Sequence, residues 1–292
     1  MFAGSLVAIV TPMEPDGRID YGAWERLLEF HIENGTAGIV VGGTTGESAT
    51  LEDAELRELV ARACKRVRGR TAVLAGAGTS STTSTVARVR WLSQLPIDAL
   101  LVVTPAYNRP TQEGLFRHFE AAAAEARRPL LLYNVPGRTA VDMLPETVAR
   151  LSRLRGVVGV KEAVPEVSRV RELIEHCGPG FVVLSGDDAS ARDTIGAGAR
   201  GVISVTANLA PRAMSEMVAA ALTGEAARAA ELDAALAGLH RELFVEANPI
   251  PVKWLLGEMG LIGPGLRLPL TPLAERYHEQ VRVAARTAQV LR

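Results

Sequence analysis

Lysine is scarce in this 292-residue chain: of 32 Lys plus Arg, three are lysines, Lys65, Lys161 and Lys253. The two cysteines, Cys64 and Cys177, have no CxxC or metal-ligand spacing. That excludes a disulfide framework and a cysteine zinc site, and it makes a reduced cytosol the expected setting. Net charge is -1, with 33 acidic against 32 basic residues, so no basic field awaits nucleic acid and no acidic one a cationic partner. The apolar runs are broken within about ten residues by Gly, Thr or a charge, well short of a membrane span. All five histidines (31, 118, 176, 240 and 278) fall in separate helical stretches, away from any carboxylate cluster, so no metal is expected. Neither GxGxxG after the first strand nor the P-loop pattern GxxxxGK[ST] is present. The opening MFAGSLVAIVTPMEPDG lacks the basic leader and apolar stretch of a signal peptide and reads as a strand.

What the chain does have is a regular alternation. A hydrophobic fraction of 48% against 22% charged residues suits a soluble globular protein with a large core. Eight short apolar runs, at 5–10, 38–43, 71–78, 98–105, 129–136, 157–163, 181–188 and 201–207, alternate with amphipathic helical patterns. Continuous apolar runs are the mark of parallel strands buried on both faces. The repeat predicts an α/β chain with a (β/α)8 TIM barrel over residues 1–223 and a C-terminal helical appendage over 224–292.

In such a barrel the chemistry gathers at the carboxyl ends of the strands. Lys161 follows Val157-Val158-Gly159-Val160 there. Desolvation at that place disfavours the ammonium and leaves an amine able to attack a carbonyl carbon, something an arginine cannot do. A structural pairing of Lys161 with Glu162 or a rim carboxylate is the alternative. Lys65 lies on a charged helix face, and Lys253 reads as a side chain snorkelling from a helix. Tyr133 and Tyr107 end or follow strands, where phenols relay protons or simply pack as rings. The GGTTGES turn (42–48) offers hydroxyls and N–H groups to a carboxylate, unless it is a plain turn with Glu47 or Ser48 capping the next helix. Arg138 offers a fork for a second carboxylate or a surface ion pair. Asp187-Asp188 reads as a cap for the following helix.

The motifs GSLVAIVTPM, GTTGESATL, TPAYNRPTQEGL, LYNVPGRT, GVKEA, LSGDDAS, GVISVTAN and NPIPVKW together resemble the dihydrodipicolinate synthase family along nearly the whole chain. That family belongs to the pyruvate-dependent class I aldolases and lyases, which include N-acetylneuraminate lyase. The resemblance implies that Lys161 forms an imine with pyruvate, whose enamine attacks L-aspartate 4-semialdehyde in diaminopimelate and lysine biosynthesis. It makes Tyr133, Thr44 and Tyr107 a proton relay, with Tyr107 reaching in from a neighbouring subunit. Thr45 falls to the pyruvate carboxylate, Arg138 to the semialdehyde carboxylate, and the Gly186 and Ile203 positions to the pocket lining. It further implies a cytoplasmic homotetramer, a dimer of dimers, without an organic cofactor. Another pyruvate aldolase acting on sialic or keto-sugar acids, or a barrel that binds pyruvate without turnover, are the competing readings. Ala106 stands where a second aromatic residue is frequent, and Val164-Pro165 where Thr-Gly is common. Where lysine-inhibited members carry histidines at 53 and 56, an asparagine at 80 and a glutamate at 84, this chain has Asp53, Leu56, Ser80 and Ser84.

Overall fold

Parallel strands buried on both faces close on themselves when each hands its edge to the next, and all eight apolar runs do so. The computed structural model describes residues 2–291. The strands are β1 Gly4–Ala8, β2 Gly38–Val41, β3 Ala72–Gly76, β4 Ala99–Val103, β5 Leu130–Asn134, β6 Val157–Glu162, β7 Val182–Ser185 and β8 Gly201–Ser204. They form a closed parallel barrel in sequence order, with β8 returning to β1. The helices are α1 Tyr21–Glu33, α2 Asp53–Val67, α3 Thr82–Leu92, α4 Gln112–Glu125, α5 Pro136–Thr139 and α6 Pro145–Leu151. They continue with α7 Val167–Cys177, α8 Ala191–Gly196, α9 Pro211–Thr223, α10 Ala226–Glu242, α11 Ile250–Glu258 and α12 His278–Thr287. The (β/α)8 TIM barrel with helices after it is the architecture expected from the alternation.

Helix starts follow local chemistry. Asp20 accepts from Ala23 N at 2.9 Å ahead of α1, Thr111 from Gly114 N at 3.2 Å ahead of α4, and Glu52 with Glu55 makes a capping box for α2. Proline opens α6 and α9, where the missing N–H costs nothing. The strands are shorter than the apolar runs that announce them; the run at 71–78, for example, leaves the sheet after Gly76. Several of the surplus residues at the carboxyl ends, Gly43, Val135, Ala163, Gly186 and Val205 among them, turn out of the ladder and line the cavity.

Two apolar layers hold the barrel. Leu6, Val40, Leu74, Leu101, Leu131, Tyr133, Leu184 and Ile203 fill its interior. A larger shell, including Trp24, Leu59, Phe119, Val160, Leu173 and Met217, lies between strands and helices. One irregularity sets the phase of β6 against β5: Leu130 pairs with Val157, but Leu131 pairs with Gly159, so one residue of β6 is passed over. From there Tyr133 faces Lys161 and Asn134 faces Glu162. Among the described residues, no helix is long and apolar enough to cross a membrane.

Candidate active site

A cavity of about 160 Å³ opens at the carboxyl ends of the strands. Gly43, Thr44 and Thr45 line it from the loop after β2, Tyr133, Val135 and Arg138 from β5 and α5, and Lys161 and Ala163 from β6. Gly186, Asp187 and Val205 come from the ends of β7 and β8, and Phe244 and Asn248 from the segment between α10 and α11.

Lys161 is buried, at 6% exposure. As the register partner of Tyr133 it shares the interior face of the barrel, and its Nζ lies 4.3 Å from the centroid of the Tyr133 ring. The ring face thus supplies electron density beside the amine. The alternative pairing with Glu162 does not form. Alternation turns that carboxylate out of the barrel, where Asn134 Nδ2 (3.0 and 3.1 Å) and Val164 N (2.9 Å) donate to it. Burial pushes the Glu162 carboxyl up to about 7, against the opposing pull of those donors and of Arg169; nearby Asp142 raises it further. Gly186 leaves the room that Lys161 occupies, since a Cβ there would stand 3.0 Å from Lys161 Cε and 2.9 Å from Ala163 Cβ.

The threonine loop is held from three sides. Thr11 Oγ1 donates to the Gly46 carbonyl at 2.8 Å, and Asn248 Nδ2 donates to Thr45 Oγ1 at 3.0 Å. Below the loop, β3 approaches so closely that a Cβ on Gly76 would lie 2.1 Å from the Gly42 carbonyl oxygen. The third tie was not expected. Glu47 caps no helix; it adopts φ 57 and forms an ion pair with Lys253 of α11, the two side chains being 1% and 2% exposed. Lys253 therefore does not snorkel: its head is buried and pairs with Glu47 instead of reaching solvent. Burial draws the Lys253 ammonium below its ordinary value, while Glu47 opposes the shift. Arg267 N reaches the other Glu47 oxygen at 3.3 Å.

Arg138 lines the cavity and donates through Nη2 to the Asn248 carbonyl at 3.1 Å. Asp187 and Asp188 divide the task expected of them. Asp187 accepts from Ser190 N and Oγ at 2.9 and 2.7 Å at the start of α8, whereas Asp188 accepts from Val205 N and Thr206 N beyond β8. Ile203 sits in the interior layer, and Val205, two residues on, forms the cavity wall. Tyr107 stands away from the cavity of its own chain, 94% exposed and with φ 75. Phe244, Asn248 and the Glu47–Lys253 pair escaped the reading of the sequence. The available signal was Lys253 itself, one of three lysines, set in the apolar run PVKWLL.

The model of the dihydrodipicolinate synthetase family matches residues 1–288. The chain belongs to that family. It is 52% identical over 291 residues to the 4-hydroxy-tetrahydrodipicolinate synthase of Methylococcus capsulatus, and 51% identical over 291 residues to that of Pseudomonas aeruginosa; each match covers 100% of both chains. The crystal structure of the chloride-inhibited dihydrodipicolinate synthase from Acinetobacter baumannii, complexed with pyruvate, superposes with a TM-score of 0.98 at 47% identity, covering 100% of both chains. Members of the dihydrodipicolinate synthetase family at this likeness share the barrel throughout, so the cavity rim is the place to seek this member's chemistry.

Proposed function

We propose that the chain is a 4-hydroxy-tetrahydrodipicolinate synthase, a lyase that condenses pyruvate with L-aspartate 4-semialdehyde. The observation that carries this is Lys161: a buried amine at a strand end, on the cavity wall, stacked against Tyr133 and without an ion-pair partner among the described residues. The pyruvate complex of the Acinetobacter relative and the names of the full-length relatives supply the substrate class.

The free amine attacks the ketone carbon of pyruvate, and water leaves to give an imine. Loss of a methyl proton converts the imine to an enamine. The enamine carbon then bonds to the aldehyde carbon of the semialdehyde, whose oxygen takes up a proton. The semialdehyde's amine next displaces Lys161 from the imine carbon, which closes the ring and frees the lysine. Tyr133 and Thr44, which line the cavity, carry the protons, with Tyr107 completing the relay in a neighbouring copy. A phenol wholly in solvent, on a backbone in the left-handed region that bulky residues avoid, supports that use of Tyr107. Thr45 takes the pyruvate carboxylate, Arg138 that of the semialdehyde, and Gly186 and the Ile203 backbone border the pocket. The enzyme works as a homotetramer, a dimer of dimers, in the cytoplasm. The free thiols of Cys64 and Cys177 accord with a reducing compartment.

Borohydride reduction in the presence of pyruvate tests the reading. The adduct should appear on the peptide carrying Lys161, and an adduct on Lys65 or Lys253 would overturn the assignment. Turnover with the semialdehyde, coupled to dihydrodipicolinate reductase, should exceed turnover with keto-sugar acids.

A further inference from the structure

Asn248 has no part in the steps above, yet it touches both carboxylate sites. It precedes α11, is 6% exposed and lines the cavity. Its Nδ2 donates to Thr45 Oγ1 at 3.0 Å, and its main-chain carbonyl accepts from Arg138 Nη2 at 3.1 Å. The remaining polar atom, Oδ1, is buried and has no partner among the described residues. The threonine is thus the one polar contact of this side chain, which ties its worth to Thr45 more than to the fold.

The chemistry of the contact gives it a direction. A hydroxyl carries one proton and accepts through its lone pairs, whereas an amide nitrogen only donates. With Nδ2 on its lone pair, Thr45 Oγ1 keeps its proton for a third group. The carboxylate of a keto acid, an acceptor only, is the complement of such a proton. We infer that Asn248 is a positioning residue, which fixes the Thr45 hydroxyl as a donor to the carboxylate of the first substrate. This rests on the keto-acid reading proposed above.

The measurement is borohydride trapping with pyruvate alone, titrated to a half-saturating concentration. In Asn248→Ala that concentration should rise about 2- to 12-fold, the range for one neutral hydrogen bond, with little change in kcat at saturating pyruvate. Asn248→Asp should raise it further, because its carboxylate takes the Thr45 proton and repels the substrate. The main-chain carbonyl on Arg138 survives both changes, so KM for the semialdehyde should move less than KM for pyruvate.

Coupling separates positioning from a general loss of structure. Added to Thr45→Val, Asn248→Ala should raise the half-saturating concentration by less than about 2-fold, because the hydroxyl it acts on is gone. Independent, multiplying effects would overturn the inference, as would wild-type half-saturation in Asn248→Ala. Should the alanine variant not fold, the near-isosteric Asn248→Asp carries the same test, and wild-type half-saturation there counts against it equally. A wild-type protein that traps no pyruvate would sink the keto-acid reading together with the inference. Normal wild-type trapping with unaltered variants would sink the inference alone.

Discussion

The Glu47–Lys253 pair joins the threonine loop to the C-terminal helices, and its worth is calculable. In Lys253→Met the ammonium is replaced by a side chain of similar length that packs but does not pair. Glu47 stays 1% exposed, with Arg267 N at 3.3 Å as its remaining donor. Stranding one member of a buried pair costs about 3–5 kcal/mol. With an unfolding entropy of about 2.1 cal/mol/K per residue, a chain of 292 residues has about 0.6 kcal/mol/K at Tm, so Tm should fall by about 5–8 °C. Glu47→Gln combined with Lys253→Met should recover more than half of that loss, because no isolated charge remains. Thermal denaturation followed by circular dichroism measures all three proteins. A drop below about 2 °C, or a double variant as unstable as Lys253→Met, would refute the view that the pair is a desolvated unit.

Four further expectations follow from the same geometry. With its carboxyl held near 7, against an ordinary 4.5, Glu162 favours the folded state fully below about 4.5 and loses that contribution as pH rises through 7. Glu162→Gln should therefore flatten the stability profile between pH 5 and 8 by up to about 3 kcal/mol, seen in urea melts; an unchanged slope counts against a protonated Glu162. Arg138→Ala should raise the semialdehyde KM about 10- to 150-fold, and that for pyruvate much less; equal effects in steady-state kinetics would end the division of roles. Mixing Tyr107→Phe with Lys161→Ala subunits should restore activity by rebuilding one complete site in a mixed dimer, with subunit exchange followed by native mass spectrometry. Inhibition by lysine should be weak, with half-inhibition above about 1 mM. Ser80 and Ser84 offer no charge, and Asp53, which lines that groove together with Glu52, is engaged by Arg88 Nε at 2.7 Å.

The barrel was legible because parallel strands need apolar residues on both faces, which makes each of the eight runs conspicuous without any long-range information. Lys161 was legible for a related reason: a lysine near the end of such a run has few places to go. Thr44, Thr45, Arg138 and Gly186 follow strands, Tyr133 lies near the end of one, and the fold brings them to the same cavity. Asn248 and Lys253 lie beyond the last strand, where helix follows helix and no strand end marks a residue as belonging to the rim. Their partners, Thr45 and Glu47, are 203 and 206 positions away. Contacts of that separation leave no periodicity to read. Tyr107 was found by motif alone: in the chain itself its ring is 94% exposed and does not line the cavity.

The residue that β6 passes over against β5 makes the reactive face a matter of parity. Keep strict one-to-one pairing from Leu130 onward, and Val160 would stand beside Tyr133 while Lys161 took the place of Glu162 against Asn134. Every residue would be retained, yet the amine would point into the helix shell and an isopropyl group into the cavity. A change in the number of residues around Val158 therefore reverses inside and outside for the rest of the strand, and the next position is fixed in kind as well, since a Cβ on Gly159 would stand 2.4 Å from the Val182 carbonyl oxygen.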